Sequence, residues 1–136
     1  MIVLDCNAAV EMARGTKDGS ALLALVDEDE HTLAPDFFSY ELANVISKYV
    51  RGRYLERDEA LSLGRCARRL VDDFRSGEDS WSEVVSESVR LDHPAYDLFY
   101  LVLARRQAST LFTLDKKLQR LCLNNGVDCL YLDNEF

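Results

Sequence analysis

Residues 2–7 read Ile-Val-Leu-Asp-Cys-Asn, and this short stretch determines how the rest of the sequence is interpreted. Its first three residues form an apolar run with β-branched side chains, which is typical of a buried strand. A helical pattern follows directly and ends at Gly15; its apolar positions are Ala8, Ala9, Val10, Met12 and Ala13. A strand that passes straight into a helix predicts an α/β unit, with Asp5 at the junction of the two elements.

Strands and helices alternate along the rest of the chain. Short apolar runs predict strands at residues 32–34, 111–114 and 127–132. Helical periodicity predicts helices at residues 22–26, 36–49, 57–75, 95–106 and 116–124. The segment 80–91 is ambiguous, because its apolar residues fit either a strand followed by a helical turn or a helix alone. The alternation predicts an α/β fold whose mostly parallel sheet is covered by helices on both faces.

Two of the predicted helices, residues 36–49 and 57–75, are separated only by a short segment that contains Arg51-Gly52. A connection this short places the two helices side by side as a long antiparallel pair. We therefore expect a three-layer α/β/α architecture from which this helical pair protrudes.

The length of 136 residues is typical of one domain, and we expect a single folded unit over residues 1–136. Hydrophobic residues make up 48% of the chain and charged residues 29%, which excludes a disordered or fibrous protein. No stretch approaches the roughly 20 apolar residues of a membrane span. Asp5 introduces a charge too early for a secretory signal, so we expect a cytoplasmic protein that does not contact membranes.

The 16 basic and 24 acidic residues give a formal net charge of -8, which argues against nucleic-acid binding over the whole surface but leaves a local basic face open. No C-x-x-C pair occurs among Cys6, Cys66, Cys122 and Cys129, and we expect all four to be reduced thiols in the core. Because the chain has only two histidines, we expect any metal to be bound by oxygen.

Two acids, Asp5 and Asp115, each follow a predicted strand directly. In an open parallel sheet the ligand crevice lies outside the carboxyl ends of the strands, so both carboxylates are expected at that edge. Asp is also a good helix N-cap, and either acid could serve only the helix that follows it.

A third acid, Asp97, belongs to a predicted helix, residues 95–106, that is apolar on nearly every side and therefore buried. Pro94 is expected at its first position, with Asp92 or His93 as its cap. Asp97 shares a helix face with Leu101, Ala104 and Ala108. It is therefore either a buried charge that needs a partner or an acid at the rim, stabilised by the helix dipole.

The fourth acid, Glu41, flanks the apolar stripe of its helix. An exposed glutamate is often paired with a base four residues away, but the residues at those positions are Phe37 and Val45. An arginine elsewhere in the fold remains an alternative partner.

Together, the four acids predict one acidic pocket. Four carboxylates within a few ångströms of one another repel strongly unless they are protonated or bind a hard cation. Mg²⁺ and Mn²⁺ both prefer oxygen ligands, so either ion fits this site.

At these positions the sequence resembles a PIN-domain ribonuclease of the VapC toxin type, and the resemblance covers essentially the whole chain. The matching pieces are residues 2–7 (IVLDCN), 40–45 (YELANV), 96–104 (YDLFYLVLA) and 111–118 (LFTLDKKL). Each piece is short, but their order and spacing make the resemblance strong. The segment before Asp97 departs from the family pattern, because it is shorter and lacks a glycine that many relatives carry.

The resemblance implies that Asp5, Glu41, Asp97 and Asp115 are catalytic and bind Mg²⁺ or Mn²⁺. It also implies supporting roles for three polar residues, namely Asn7, Asn44 and Thr113. The simpler interpretations are helix caps for Asn7 and Thr113 and a solvated amide for Asn44.

The implied function is metal-dependent hydrolysis of RNA phosphodiesters by the toxin of a type II toxin–antitoxin pair. Lys116 and Lys117 follow Asp115 and are candidate RNA contacts. The resemblance further implies a homodimer and a VapB-like antitoxin that lies across the groove of the helical pair.

Three alternatives remain open at this point. The chain is also compatible with a PIN-like RNA-processing nuclease that is not a toxin, or with a non-catalytic PIN-like module that binds proteins. A phosphatase of the haloacid dehalogenase kind also has an Asp after its first strand, but it needs a second Asp two residues later, where this chain has Asn7.

Overall fold

A computed structural model describes residues 1–130 of the chain. Its elements are, in order, β1 (Ile2–Leu4), α1 (Cys6–Arg14), α2 (Lys17–Leu23), β2 (Thr32–Pro35), α3 (Phe38–Arg51), α4 (Arg57–Arg69), β3 (Asp73–Arg75), α5 (Trp81–Leu91), α6 (Ala95–Arg106), β4 (Thr110–Phe112) and α7 (Lys116–Asn124). A 3₁₀ turn, Gly77–Ser80, leads into α5. Within these 130 residues, no helix combines the length and the apolarity that crossing a membrane requires.

The sheet in the described residues has four strands in the order β3-β2-β1-β4, and every neighbouring pair is parallel. Ile2 of β1 lies opposite Thr32 of β2 on one side and Thr110 of β4 on the other. The strands run outward from β1 to β3 in chain order, and the chain then returns to the other side of β1 to form β4. The strand order therefore reverses between β1 and β4, and the carboxyl ends of these two strands frame the crevice.

The sheet is buried on both faces, as expected for a parallel sheet. Ile2 and Leu4 pack into a core with α1, α2, α3 and α4, whereas Val3 points the other way into a second core formed with α5, α6 and α7. This alternation follows from the two-residue period of a strand. The predicted three-layer α/β/α architecture is confirmed.

The predicted antiparallel helical pair is formed by α3 and α4, which pack against each other across a short connection. A β-carbon at Gly64 would lie 3.1 Å from Ile46 Cγ1, so the absence of a side chain there lets α4 approach α3 closely. Ala60 and Ala67 of α4 are fully buried, because α4 also packs against α1.

Several predicted segments differ from the structure. The helix expected over residues 22–26 is α2, which begins earlier, after the cap Thr16, and ends at Leu23. The strand expected over residues 111–114 is β4, which ends at Phe112. The helix expected over residues 57–75 ends at Arg69, and Asp73–Arg75 instead forms the edge strand β3, paired with β2. Apolar residues at 70, 71 and 74 continue the helical period, but backbone pairing with β2 determines the local structure. The ambiguous segment 80–91 is a helix, α5.

The end of the chain and the start of α6 also differ from expectation. For the strand predicted at 127–132, the described part shows an isolated parallel bridge between Leu111 and Cys129, and positions 131 and 132 lie outside the described residues. Helix α6 begins at Ala95 as expected, but Pro94 occupies its N-cap position in place of Asp92 or His93. Asp92 instead ends α5 with a left-handed φ of 49°.

The cysteines are all free, but the expectation that all four lie in the core is wrong. Cys6 and Cys122 are buried, Cys129 is half-buried, and Cys66 is exposed on α4. The helical period of this segment was not sufficient to predict that Cys66 lies on the outer face of α4.

The contact between α1 and α2 provides a test of the packing. A β-carbon at Gly19 would collide with the backbone carbonyl of Glu11. We expect Gly19→Ala to lower the free energy of unfolding by about 3 kcal/mol, because overpacking forces the backbone to shift. Urea denaturation measures the change.

The matched control is Ser20→Ala, an exposed position on the same helix, which should change stability by less than about 0.5 kcal/mol. Equal stability of the two variants would contradict the close helix contact.

Candidate metal centre

Asp5 lies at the carboxyl end of β1, where its backbone N–H donates to the Phe112 carbonyl oxygen at 3.0 Å. Its side chain is almost completely buried, and the residue is 7% exposed. Asp5 precedes α1, but its carboxylate makes no capping hydrogen bond to that helix. The carboxylate instead accepts a hydrogen bond of 2.6 Å from the Thr113 hydroxyl, across the β1–β4 crevice. Helix capping therefore does not explain this acid.

Asp115 does cap the helix that follows it. Its Oδ1 accepts hydrogen bonds from the backbone N–H groups of Lys117 at 2.9 Å and Leu118 at 3.4 Å. Its own backbone N–H donates to the Thr113 hydroxyl at 3.1 Å. Thr113 thus links Asp5 and Asp115, and the second carboxylate oxygen of Asp115 takes no part in these capping bonds.

Glu41 lies in the first turn of α3 and is half-buried. The hydroxyl of Tyr100, from α6, donates to Glu41 Oε1 at 2.6 Å. Tyr100 is itself fully buried at 1% exposure. The partner of Glu41 is therefore a neutral hydroxyl and not the arginine that remained open from the sequence.

Asp97 lies in the first turn of α6 and is half-buried at the rim, with a side chain that is 36% exposed. Its Oδ2 lies 2.8 Å from Nε2 of His93, one turn earlier in the chain. The His93 side chain is only 15% exposed. Asp97 is therefore held by an imidazole close to the crevice.

The electrostatics show that the four acids lie in one neighbourhood. Burial raises the pKa of Asp5 to about 7, the Thr113 hydrogen bond opposes this shift, and the charges of Glu41, Asp97 and Asp115 add to it. Burial also raises the pKa of Glu41, and the charge of Asp97 adds to that effect. The structure therefore brings the other three predicted acids within electrostatic range of Asp5.

Two neighbouring groups experience the same negative field. Burial, with the charges of Glu41 and Asp5, raises the pKa of the Cys6 thiol to about 12. The pKa of the Tyr100 hydroxyl is also raised, chiefly by burial and then by the charges of Asp5 and Glu41. Both groups therefore stay neutral beside the acids.

No three carboxylate, imidazole or thiol groups within residues 1–130 are already arranged so that they could hold a metal ion. Three of the acids each have a hydrogen-bond partner of their own: Tyr100 for Glu41, His93 for Asp97, and the backbone of α7 for Asp115. The donor chemistry nevertheless fits Mg²⁺ or Mn²⁺. Both ions prefer oxygen ligands, and a hard cation reduces the repulsion between carboxylates that raise one another's pKa.

The other residues predicted from the sequence differ in how far they are buried. Thr113 is fully buried at the centre of the crevice. Asn44 is exposed and lies near Glu41, and Asn7 is exposed on the first turn of α1. Lys116 and Lys117 are exposed at the start of α7, beside Asp115.

Sequence reasoning missed three residues that hold the acids or their supports. His93 lies four residues before Asp97, a spacing that could have indicated this pair, whereas Tyr100 bonds Glu41, which is 59 residues away in the chain. The third, Gln119, donates from its buried amide to the Thr113 carbonyl oxygen at 2.8 Å. No signal in the sequence indicates this last contact.

The raised pKa of Asp5 makes the stability of the metal-free protein depend on pH. Folding moves this pKa from 3.8 to about 7, so the folded state binds more protons between these values and stability falls as pH rises through them. At about 1.4 kcal/mol per pKa unit, the loss is up to roughly 4 kcal/mol at pH 8. Asp5→Asn removes this titration and should be more stable than the parent at pH 8 in chelator, but not at pH 4.

Thermal unfolding between pH 4 and pH 8 measures the effect. Asp58→Asn is the control, because the Asp58 side chain is 93% exposed and should leave the pH profile unchanged. Parallel profiles for Asp5→Asn and the parent would contradict the raised pKa.

The model of the PIN domain family matches residues 2–123, a span that includes Asp5, Glu41, Asp97 and Asp115. No curated protein matches the sequence at a significant level. PIN domains are generally nuclease modules, and PIN nucleases generally use divalent metals. The family match covers most of the sequence and agrees with the all-parallel sheet and its flanking helices. The chain therefore belongs to the PIN domain family.

Proposed function

We propose that this protein is a metal-dependent endoribonuclease that hydrolyses RNA phosphodiesters through one catalytic domain, residues 1–136. The observation that carries the proposal is the buried carboxylate of Asp5 at the β1–β4 crevice, with a pKa raised by burial and by three further acids. Membership of a family whose domains are generally nucleases supports it. A buried acid of this kind is costly for stability, which favours a functional role.

In the proposed site, Asp5, Glu41, Asp97 and Asp115 hold Mg²⁺ or Mn²⁺. When bound, such a cation lowers the pKa of a water molecule and stabilises charge on the phosphate oxygens during attack. A carboxylate of the site accepts the proton of the attacking water.

Hydrogen bonds from the surrounding residues orient these acids. Thr113 orients Asp5, Tyr100 orients Glu41, and His93 orients Asp97. Partners of this kind fix ligand orientation in metal sites.

RNA must reach this site on a protein whose net charge is -8. We propose Lys116 and Lys117, exposed beside Asp115, as contacts to the RNA backbone. Lysine at such a position attracts phosphate and offsets part of the local negative charge.

We propose a cytoplasmic toxin that forms a homodimer and is neutralised by a VapB-like antitoxin. An apolar groove between α3 and α4, about 260 Å³ in volume, supports this assignment. Leu42, Ile46 and Leu61 line it, with Arg65 and Arg68 at its edge. A groove of this form suits the apolar face of a partner helix.

Replacing Asp5 or Asp97 with Asn should reduce RNA cleavage in Mg²⁺ or Mn²⁺ by at least about 100-fold. Changes in residues around a metal site alone cost about 10–100-fold, and these variants remove proposed ligands. Cleavage of a fluorescent single-stranded RNA measures the rates, with circular dichroism to verify folding. Asp58→Asn, which changes an exposed side chain on α4, should cleave like the parent.

Full activity of the Asp5→Asn protein would show that the metal-site assignment is wrong. Calorimetric titration with Mg²⁺ separates a nuclease from a non-catalytic binding module. A module of that kind should bind no Mg²⁺ specifically, whereas the proposed site should bind it and lose that binding in Asp5→Asn.

Expression of the protein alone should arrest growth, and co-expression with the product of the neighbouring upstream reading frame should relieve the arrest. Light scattering should show a dimer that binds this product. A monomer with no affinity for that product would remove the toxin assignment but not the nuclease. Unimpaired growth would favour an RNA-processing nuclease.

A further inference from the structure

A second cavity, about 390 Å³ in volume, lies beside the acidic crevice, and Glu41 lines it. Its other lining residues include Phe37, Tyr40, Tyr96 and Phe99, together with the polar side chains of Asp36 and Asn44. We propose that this aromatic groove binds an unpaired nucleobase of the RNA, which stacks on Tyr40 and Tyr96. The inference rests on the proposed ribonuclease function and adds a base-binding subsite to it.

The exposure of the two tyrosines is the first argument. Tyr40 is 77% exposed and Tyr96 is 72% exposed, although both belong to well-packed helices. The Phe37 ring packs against the Tyr96 ring, with centroids 6.4 Å apart and an angle of 59° between the ring planes. It also contacts the Phe99 ring edge-on, with centroids 5.5 Å apart. A tilted contact of this kind holds a ring in place without stacking on its face. Exposed aromatic faces are the surfaces on which proteins stack single-stranded bases.

Position in the chain is the second argument. Tyr40 directly precedes Glu41 in α3, and Tyr96 directly precedes Asp97 in α6. Glu41 belongs to both the groove and the acidic neighbourhood. A phosphate at the acids would therefore have an adjoining base within reach of the two rings.

The charge of the groove indicates which part of a nucleotide it accepts. Among the described residues that line it there is no lysine or arginine, and Asp36 and Glu41 repel phosphate. The uncharged base is therefore the favoured occupant. The backbone N–H of Gly77 donates a hydrogen bond to Asp36 Oδ1 at 3.3 Å, and this bond positions the Asp36 carboxylate. Carboxylates and amides at such an edge recognise the exocyclic amino groups and ring nitrogens of bases.

A second copy of this chain is a poorer occupant. Two exposed rings bury roughly 150–250 Å² each, well below the roughly 1,200 Å² of a specific, stable interface between proteins. A single base can cover a surface of this size, and its binding does not require a larger contact area.

The test uses the full-length protein and a single-stranded RNA in which one base is 2-aminopurine, whose fluorescence falls on stacking. In chelator, where the proposed hydrolysis is inactive, the parent should quench this fluorescence. Tyr40→Ala and Tyr96→Ala should weaken the binding by about 5- to 150-fold, the usual range for base–aromatic stacking. Tyr96→Phe should bind like the parent, because it keeps the ring.

Tyr54→Ala is the matched control, since Tyr54 is 78% exposed but lies outside the groove. It should quench like the parent. Absence of quenching by the parent, or equal quenching by all variants, would overturn the inference.

A second arm measures cleavage of RNA in which an abasic site is moved one position at a time. At one position, the abasic site should slow cleavage by the parent by a factor similar to the loss of binding expected for Tyr96→Ala. The same abasic site should slow cleavage by Tyr96→Ala little further, because the ring and the base act as a pair. Additive losses would overturn the inference, as would a change in oligomeric state of Tyr96→Ala seen by light scattering. If the parent cleaves no RNA with Mg²⁺ or Mn²⁺, the proposed function fails, and the fluorescence arm still decides the groove.

Discussion

The parallel pairing of β1 with β4 is the contact on which the site depends. It aligns Leu4 with Phe112, so both strands end at the same edge and their next residues meet across one crevice. Asp5 follows one strand, and Thr113 follows the other and donates to Asp5. The helices α3 and α6 then bring Glu41 and Asp97 to the same place. An antiparallel β4 would have sent Asp115 to the opposite edge of the sheet.

Bringing four acids together at this edge of the sheet lowers the stability of the metal-free fold. A buried carboxylate surrounded by three others is unfavourable until a proton or a cation neutralises it. Neutral hydroxyl donors offset part of this cost, because Thr113 donates to Asp5 and Tyr100 donates to Glu41. Cores elsewhere in the molecule, above and below the sheet, supply the stability that the crevice lacks. Functional sites commonly carry such local costs.

The sequence was sufficient for those features that depend on period and on order along the chain. Alternating strands and helices predicted the parallel sheet, and the sheet in turn predicted that Asp5 and Asp115 would meet at one edge. The strand β3 was missed because its three residues include charged Asp73 and Arg75, and because the apolar spacing before it continues the helical period. An edge strand of this kind is specified by its neighbour β2 and not by its own residues.

Side-chain partners were harder to predict than backbone elements. Glu41 has no local partner, and its contact with Tyr100 joins residues 59 positions apart. The pair formed by His93 and Asp97 is local, but its spacing resembles that of many solvent-exposed pairs. Which hydroxyl or imidazole meets each acid is set by how α3 and α6 pack against the sheet, and no single segment contains that information.

The exposed thiol of Cys66 has a consequence for how assemblies of this protein are interpreted. Cys66 lies on the outer face of α4, where two molecules in oxidising solution can meet and form an intermolecular disulfide. A covalent pair made in this way has the mass of a native homodimer but arises from handling in air. Assembly that depends on the fold persists in reductant and in a Cys66→Ser protein, whereas the air-oxidised species does not.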